Sequence, residues 1–111
     1  MIKKLYQKRI LIMVRHIVMF KFLPEAEGRS ALENAKIAKD MLEALPEKIP
    51  CIVWSKISIN TGKDENYELV LEADYKTFED LAFYTDHPDH KKVGKFIKGV
   101  RLSRACVDYE Y

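Results

Sequence analysis

The 111-residue sequence is poor in several features that would take it outside the ordinary globular class. It has two cysteines, Cys51 and Cys106, 55 positions apart and inside apolar runs, with neither a Cys-x-x-Cys motif nor metal-ligand spacing. They read as buried free thiols, which suits a cytoplasmic chain better than a disulfide would. The longest unbroken apolar stretch covers only residues 10–14. That is shorter than the ~7–15 residues of a secretory core and far short of the ~20 of a membrane span, so neither export nor a membrane partner is expected. There is no repeat, no low-complexity tract and no Pro/Gly/Ser linker. A Gly-x-Ser-x-Gly elbow and a glycine-rich phosphate loop are also missing, and no cofactor is implied.

What is present is 48% hydrophobic and 32% charged residues, enough for one domain with one core. The formal charge of +2 misleads, because Lys3, Lys4, Lys8 and Arg9 fall in the first twelve residues, which hold no acid. The remainder carries 15 basic and 17 acidic residues, a balance that argues against a nucleic-acid partner. Residues 1–12 therefore read as a basic extension and 13–111 as the domain. Met13 is an alternative start of translation; equally, residues 10–12 could lengthen the first strand.

Period-two alternation marks a strand over 14–22, with His16, Val18, Phe20 and Phe22 on one face and Arg15, Ile17, Met19 and Lys21 on the other. A loop around Pro24 and Gly28 follows, and Ser30 with Glu33 forms a capping box for a helix that Pro46 ends. Alternation returns over 49–59, placing Cys51, Val53, Ile57 and Ile59 opposite Ile52, Trp54, Lys56 and Ser58. A polar hairpin loop over 60–66 leads into a strand over 67–74. Thr77 caps a short helix holding Phe78, Leu81, Ala82 and Tyr84. His87-Pro88 breaks it, with His87 capping a new helix from Pro88 to Gly99. A last strand covers 100–109.

The order β-α-β-β-α-β predicts an α+β, ferredoxin-like domain: a four-stranded antiparallel sheet with the helices on one face. The uncovered face would then expose Ile17, Met19, Ile52, Trp54 and Val107, too large an apolar patch to leave to water. A homodimer packed sheet to sheet is the expected partner arrangement.

The chemistry-bearing candidates are the histidines. His16 sits on the helix-facing side of the first strand, and His90 lies in the first turn of the last helix, where the helix dipole disfavours a charged imidazolium while Asp86 and Asp89 oppose that effect, so its sign depends on geometry. A neutral imidazole there suits a general base. Each histidine also has a structural alternative: His16 satisfying a backbone carbonyl, His87 capping, His90 capping or facing a pocket. Tyr84, three residues before His87, and the aromatic residues Phe20 and Trp54 complete a candidate ligand site with His87. A metal set of Asp86, His87, Asp89, His90 and His16 lacks a third ligand at defined spacing, and no metal is expected.

Arg-His-Ile-Val-Met-Phe-Lys-Phe at 15–22, Trp54, and Tyr-Thr-Asp-His-Pro-Asp-His at 84–90 together resemble the stress-responsive α/β-barrel domain (Dabb) family of the dimeric α+β barrel superfamily, over about residues 13–109. The resemblance implies a ferredoxin-like protomer that dimerises through its sheet. Members of the family range from stress-induced proteins with no established activity to a plant polyketide cyclase that uses a histidine pair for aldol-type proton transfer, while the joint presence of His16, Tyr84 and His90 points to binding of a small apolar or aromatic molecule. For the cyclase, the positions matching the histidine pair are His16 and His90, and Tyr84 matches a pocket tyrosine. Where the cyclase has a further tyrosine on the first helix, this sequence has Ala38. Oxygen-dependent monooxygenase activity, found elsewhere in the superfamily, rests on fold alone.

Overall fold

The protein is described by a computed structural model covering residues 12–111, apart from positions 63 and 65. The expected extension over 1–12 thus lies, save for Ile12, outside the described residues. Among the described residues no helix is long and apolar enough to cross a membrane.

Strand β1 (Val14–Phe22) buries alternate residues, as its pattern requires: Val14, His16, Val18, Phe20 and Phe22 point into the domain. The expected loop after it contains a miniature hairpin, β2 (Glu25–Ala26) and β3 (Arg29–Ser30). Its two central residues, Glu27 at φ 54° and Gly28 at φ 73°, both adopt the left-handed conformation a two-residue turn of this hand needs. Asn34, fully buried, ties the hairpin down by donating to the Ala26 carbonyl at 3.1 Å and accepting from Arg29 Nε at 2.7 Å.

Helix α1 (Ala31–Glu43) opens with the reciprocal capping box of Ser30 and Glu33, both bonds at 3.1 Å. Such a cap stabilises a helix by about 1 kcal/mol. Pro46 does not end this helix. The helix stops at Glu43, and Pro46 lies in the first turn of a short second helix, α2 (Leu45–Lys48), where its missing N–H removes no hydrogen bond.

The strand read over 49–59 is also shorter. The strand proper is β4 (Trp54–Ile59), preceded by one bond from Val53 N–H to the Asp74 carbonyl, because the chain leaves α2 through turns, with Ile49 donating to Leu45 O and Ile52 to Ile49 O. Ile49 is fully buried and Ile52 packs on the core, whereas Val53 is half exposed, so alternation across 49–53 does not report a pleat. Ile52 therefore belongs to the core and not to the open sheet face. Strand β5 (Leu69–Tyr75) pairs antiparallel with β4 and β1. Helix α3 (Phe78–Asp86) begins at the Thr77 cap, and His87, in extended conformation, caps helix α4 (Pro88–Val100). Edge strand β6 (Arg101–Glu110) completes an antiparallel sheet of order β4-β5-β1-β6.

This is the ferredoxin-like α+β fold. The core lies between sheet and helices, built from Val14, Val18 and Phe20 of β1, Leu69 and Leu71 of β5, Ala35, Ala38 and Leu42 of α1, and Val93 and Ile97 of α4. Among the described residues no helix covers the opposite sheet face. There Met19, Trp54 and Val107 are 38%, 42% and 53% exposed.

Candidate functional site between sheet and helices

Register places the first histidine. His16 of β1 lies directly opposite Asp108 of β6 on the helix side of the sheet, and its Nδ1 is 2.5 Å from Asp108 Oδ1. An ionised carboxylate only accepts, so Nδ1 carries the proton. Nε2 has no hydrogen-bond partner among the described residues. The expected backbone-carbonyl partner for His16 is thus replaced by a carboxylate 92 positions away.

The second histidine is placed by the break at His87-Pro88. The break lets the first turn of α4 fold back on the end of α3, so His90 Nδ1 donates to the Thr85 carbonyl at 3.0 Å. A carbonyl cannot donate, so in a neutral His90 ring Nε2 is the nitrogen left without a proton. Burial, more than any neighbouring charge, lowers the His90 pKa and keeps the ring neutral; the nearby His16, Arg104 and His87 act in the same direction. The sequence leaves the sign open between the helix dipole and the acids Asp86 and Asp89; in the structure desolvation is the main cause and the shift is downward.

Both rings line a cavity of about 140 Å³, with Val18, Phe20, Leu71 and Ile97 supplying apolar wall. Phe20 therefore sits where the sequence suggested. Tyr84 does not line the cavity. It is buried directly behind, with its ring centroid 4.4 Å from His90, 5.4 Å from Tyr75 and 6.3 Å from His16. Burial raises its pKa, so the hydroxyl remains protonated. The Tyr75 hydroxyl, fully buried in the same group, has no hydrogen-bond partner among the described residues.

His87 and Trp54 lie elsewhere. His87 is used as a cap, its Nδ1 accepting from the Asp89 N–H at 3.1 Å while its ring packs edge-on to Phe83. Trp54 is on the opposite face of the sheet, 5.2 Å from the Arg15 guanidinium. On that face Arg15 donates to both oxygens of Asp74, at 2.8 and 2.9 Å, and to Tyr111 Oη at 2.8 Å. Tyr111 in turn donates to Asp74. The Arg15 bonds hold the Asp74 carboxyl below its ordinary pKa.

Both cysteines are free, and neither is fully buried: Cys51 is half-buried and Cys106 exposed. Edge strand β6 carries Cys106 on its helix side but beyond the cover of the helices. Its Sγ lies 3.7 Å from His16 Nδ1 and 3.7 Å from Asp108 Oδ1, and burial of the thiol followed by the Asp108 charge raises its pKa. Among the described residues, His16, Cys106 and Asp108 are the group able to offer nitrogen, sulfur and oxygen to one ion. The 2.5 Å separation of His16 and Asp108 is a hydrogen bond, however, and two ligands of one tetrahedral ion would stand roughly 3.3 Å apart. As arranged, the pair satisfies itself.

Sequence reasoning missed Asp108 and Cys106 as neighbours of His16. The available signal was parity: Asp108 and Cys106 share one face of the last strand, and β1–β6 pairing turns that face towards His16.

Fold and site together define a ferredoxin-like α+β protein with a histidine pair in a cavity between sheet and helices. The model of the stress responsive A/B barrel domain matches residues 14–111, and the chain belongs to that family. It is similar to olivetolic acid cyclase of Cannabis sativa, 23% identical over 96 residues, covering 86% of this chain and 94% of that protein. A dimeric protein of unknown function and ferredoxin-like fold from Bacteroides fragilis is 34% identical with a TM-score of 0.77, covering 89% of this chain and 96% of the other. A dimeric ferredoxin-like protein of unknown function from Thermobifida fusca gives 23% and 0.76, over 90% and 92% of the two chains.

Proposed function

We propose that the protein is a homodimer that binds a small apolar or aromatic carbonyl compound between sheet and helices and moves a proton on the carbon next to its carbonyl. One observation carries this reading: His16 and His90 face one cavity, each with Nδ1–H held by an acceptor and Nε2 left over. His90, kept neutral by burial, is suited to take the carbon-bound proton. His16 is suited to hold a proton at Nε2 and donate it to the enolate oxygen, because Asp108 balances the resulting charge at the other end of the ring. Tyr84 acts from behind by holding the His90 ring in place. The similarity to olivetolic acid cyclase supports this class of chemistry without naming a substrate. The exposed Met19, Trp54 and Val107 and the dimeric relatives support assembly through the open sheet face.

Native mass spectrometry of the purified protein, before and after gentle organic extraction, tests binding and assembly together. A dimer carrying a removable mass is expected, with that mass absent from His90→Ala. A monomer would remove the assembly, and an unchanged mass in His90→Ala would remove the role of His90.

A further inference from the structure

The same cavity has a charge composition that its histidines do not explain. Lys98, Arg101 and Arg104 all line it, and among the described residues no carboxylate does. None of the three forms an ion pair within 4 Å among the described residues. Asp108, the nearest acid on the same strand face, is engaged with His16. Three cations at one small cavity repel one another, and such an arrangement is stabilised when an anion joins them.

Their placement has a direction. Along the helix side of β1, His16, Val18 and Phe20 face Asp108, Cys106 and Arg104 of β6 in turn. The cavity therefore runs from an acid-paired histidine, over an apolar floor, to an arginine. Arg104 stands opposite Phe20 of β1 on the helix side and lines the cavity. The volume of about 140 Å³ is close to the ~150 Å³ of an apolar cavity that accepts a benzene ring.

We propose that the ligand is an organic monocarboxylate with an apolar body the size of one ring, its carboxylate held by Arg104, Arg101 and Lys98 and its far end presented to His16 and His90. This rests on the reading of the cavity as a ligand site, and it specifies the ligand's charge and polarity along the cavity.

Titration calorimetry on the full chain at low salt, with benzoate, its neutral isostere benzamide, and inorganic phosphate as probes, tests it. Benzoate is expected to bind about tenfold or more tightly than benzamide, with an affinity that falls as salt is added. Arg104→Gln should weaken benzoate about tenfold and leave benzamide within about twofold. Arg101→Gln, read the same way, serves if the first variant folds poorly. Equal binding of benzamide and benzoate would overturn the carboxylate assignment while leaving the cavity reading intact. Binding of neither would overturn both. Phosphate binding as tightly as benzoate, with the same sensitivity to Arg104→Gln, would show an anion site with no use for the apolar body and overturn the assignment.

Discussion

Arg15 and His16 are neighbours on one strand, each faces a carboxylate on an adjacent strand, and they point to opposite sides of the sheet. On the open side, Arg15 gives two hydrogen bonds to Asp74 and one to Tyr111, with Trp54 and Tyr111 rings at 5.2 and 4.6 Å. The guanidinium and carboxylate are occupied by each other and their neighbours, an arrangement that fixes geometry and offers little to a ligand. On the helix side, Asp108 engages only one end of the His16 ring and leaves Nε2 facing unassigned chemistry. A saturated ion pair braces; a half-satisfied one can act.

The largest expected difference between the faces is in activity. His90→Gln should reduce solvent exchange of the protons beside the carbonyl of a bound ketone by about a hundredfold or more, the usual scale of general base catalysis. Arg15→Gln should leave that rate within a few-fold. Next in size is assembly: Val107→Asp on the open face should weaken self-association by about a hundredfold, or ~3 kcal/mol, on sedimentation, because a charge would be buried against apolar surface. His90→Gln should not alter it.

The two faces should also lose stability in separate pH windows. His90 has a folded pKa below its ordinary 6.5, so below that value the unfolded chain binds a proton the folded one refuses. Its contribution is complete above pH 6.5 and is lost as pH falls towards the folded pKa, and His90→Gln should remove this slope alone. Asp74, also lowered, contributes above the unfolded carboxylate pKa of about 3.9 and loses that contribution as pH falls through its folded value. The melting-temperature gap between the protein and Asp74→Asn should therefore close only below about pH 4. The smallest effect concerns Cys106. Although exposed, it should alkylate a few-fold more slowly at pH 7 than a model thiol, since its raised pKa leaves less thiolate, and Asp108→Asn should narrow the difference.

Local signals were legible where one stretch of chain contains both cause and effect. The alternation of β1, the Ser30–Glu33 capping box and the His87 cap before Pro88 are all of this kind. Pro46 and residues 49–53 misled because proline suits a first turn as well as it breaks a helix, and because turns bury apolar side chains without a pleat. The β2–β3 hairpin escaped because Glu27, not glycine, occupies one of its left-handed positions. In the cavity, Phe20, His16 and His90 were legible as residue types on suitable faces. Asp108, 92 positions from His16, and the Arg15–Asp74 pair, 59 apart, depend on strand order and register, which local pattern does not encode.

The tautomers of the two cavity histidines can be read directly by long-range ¹H–¹⁵N correlation of the imidazoles at pH 7. His90 should be neutral, with Nδ1 protonated and Nε2 showing the shift of an unprotonated nitrogen, and His16 should carry a proton on Nδ1, held by Asp108. A His90 ring that is charged at pH 7, or protonated at Nε2 with Nδ1 bare, would contradict the account, because no base would then face the cavity.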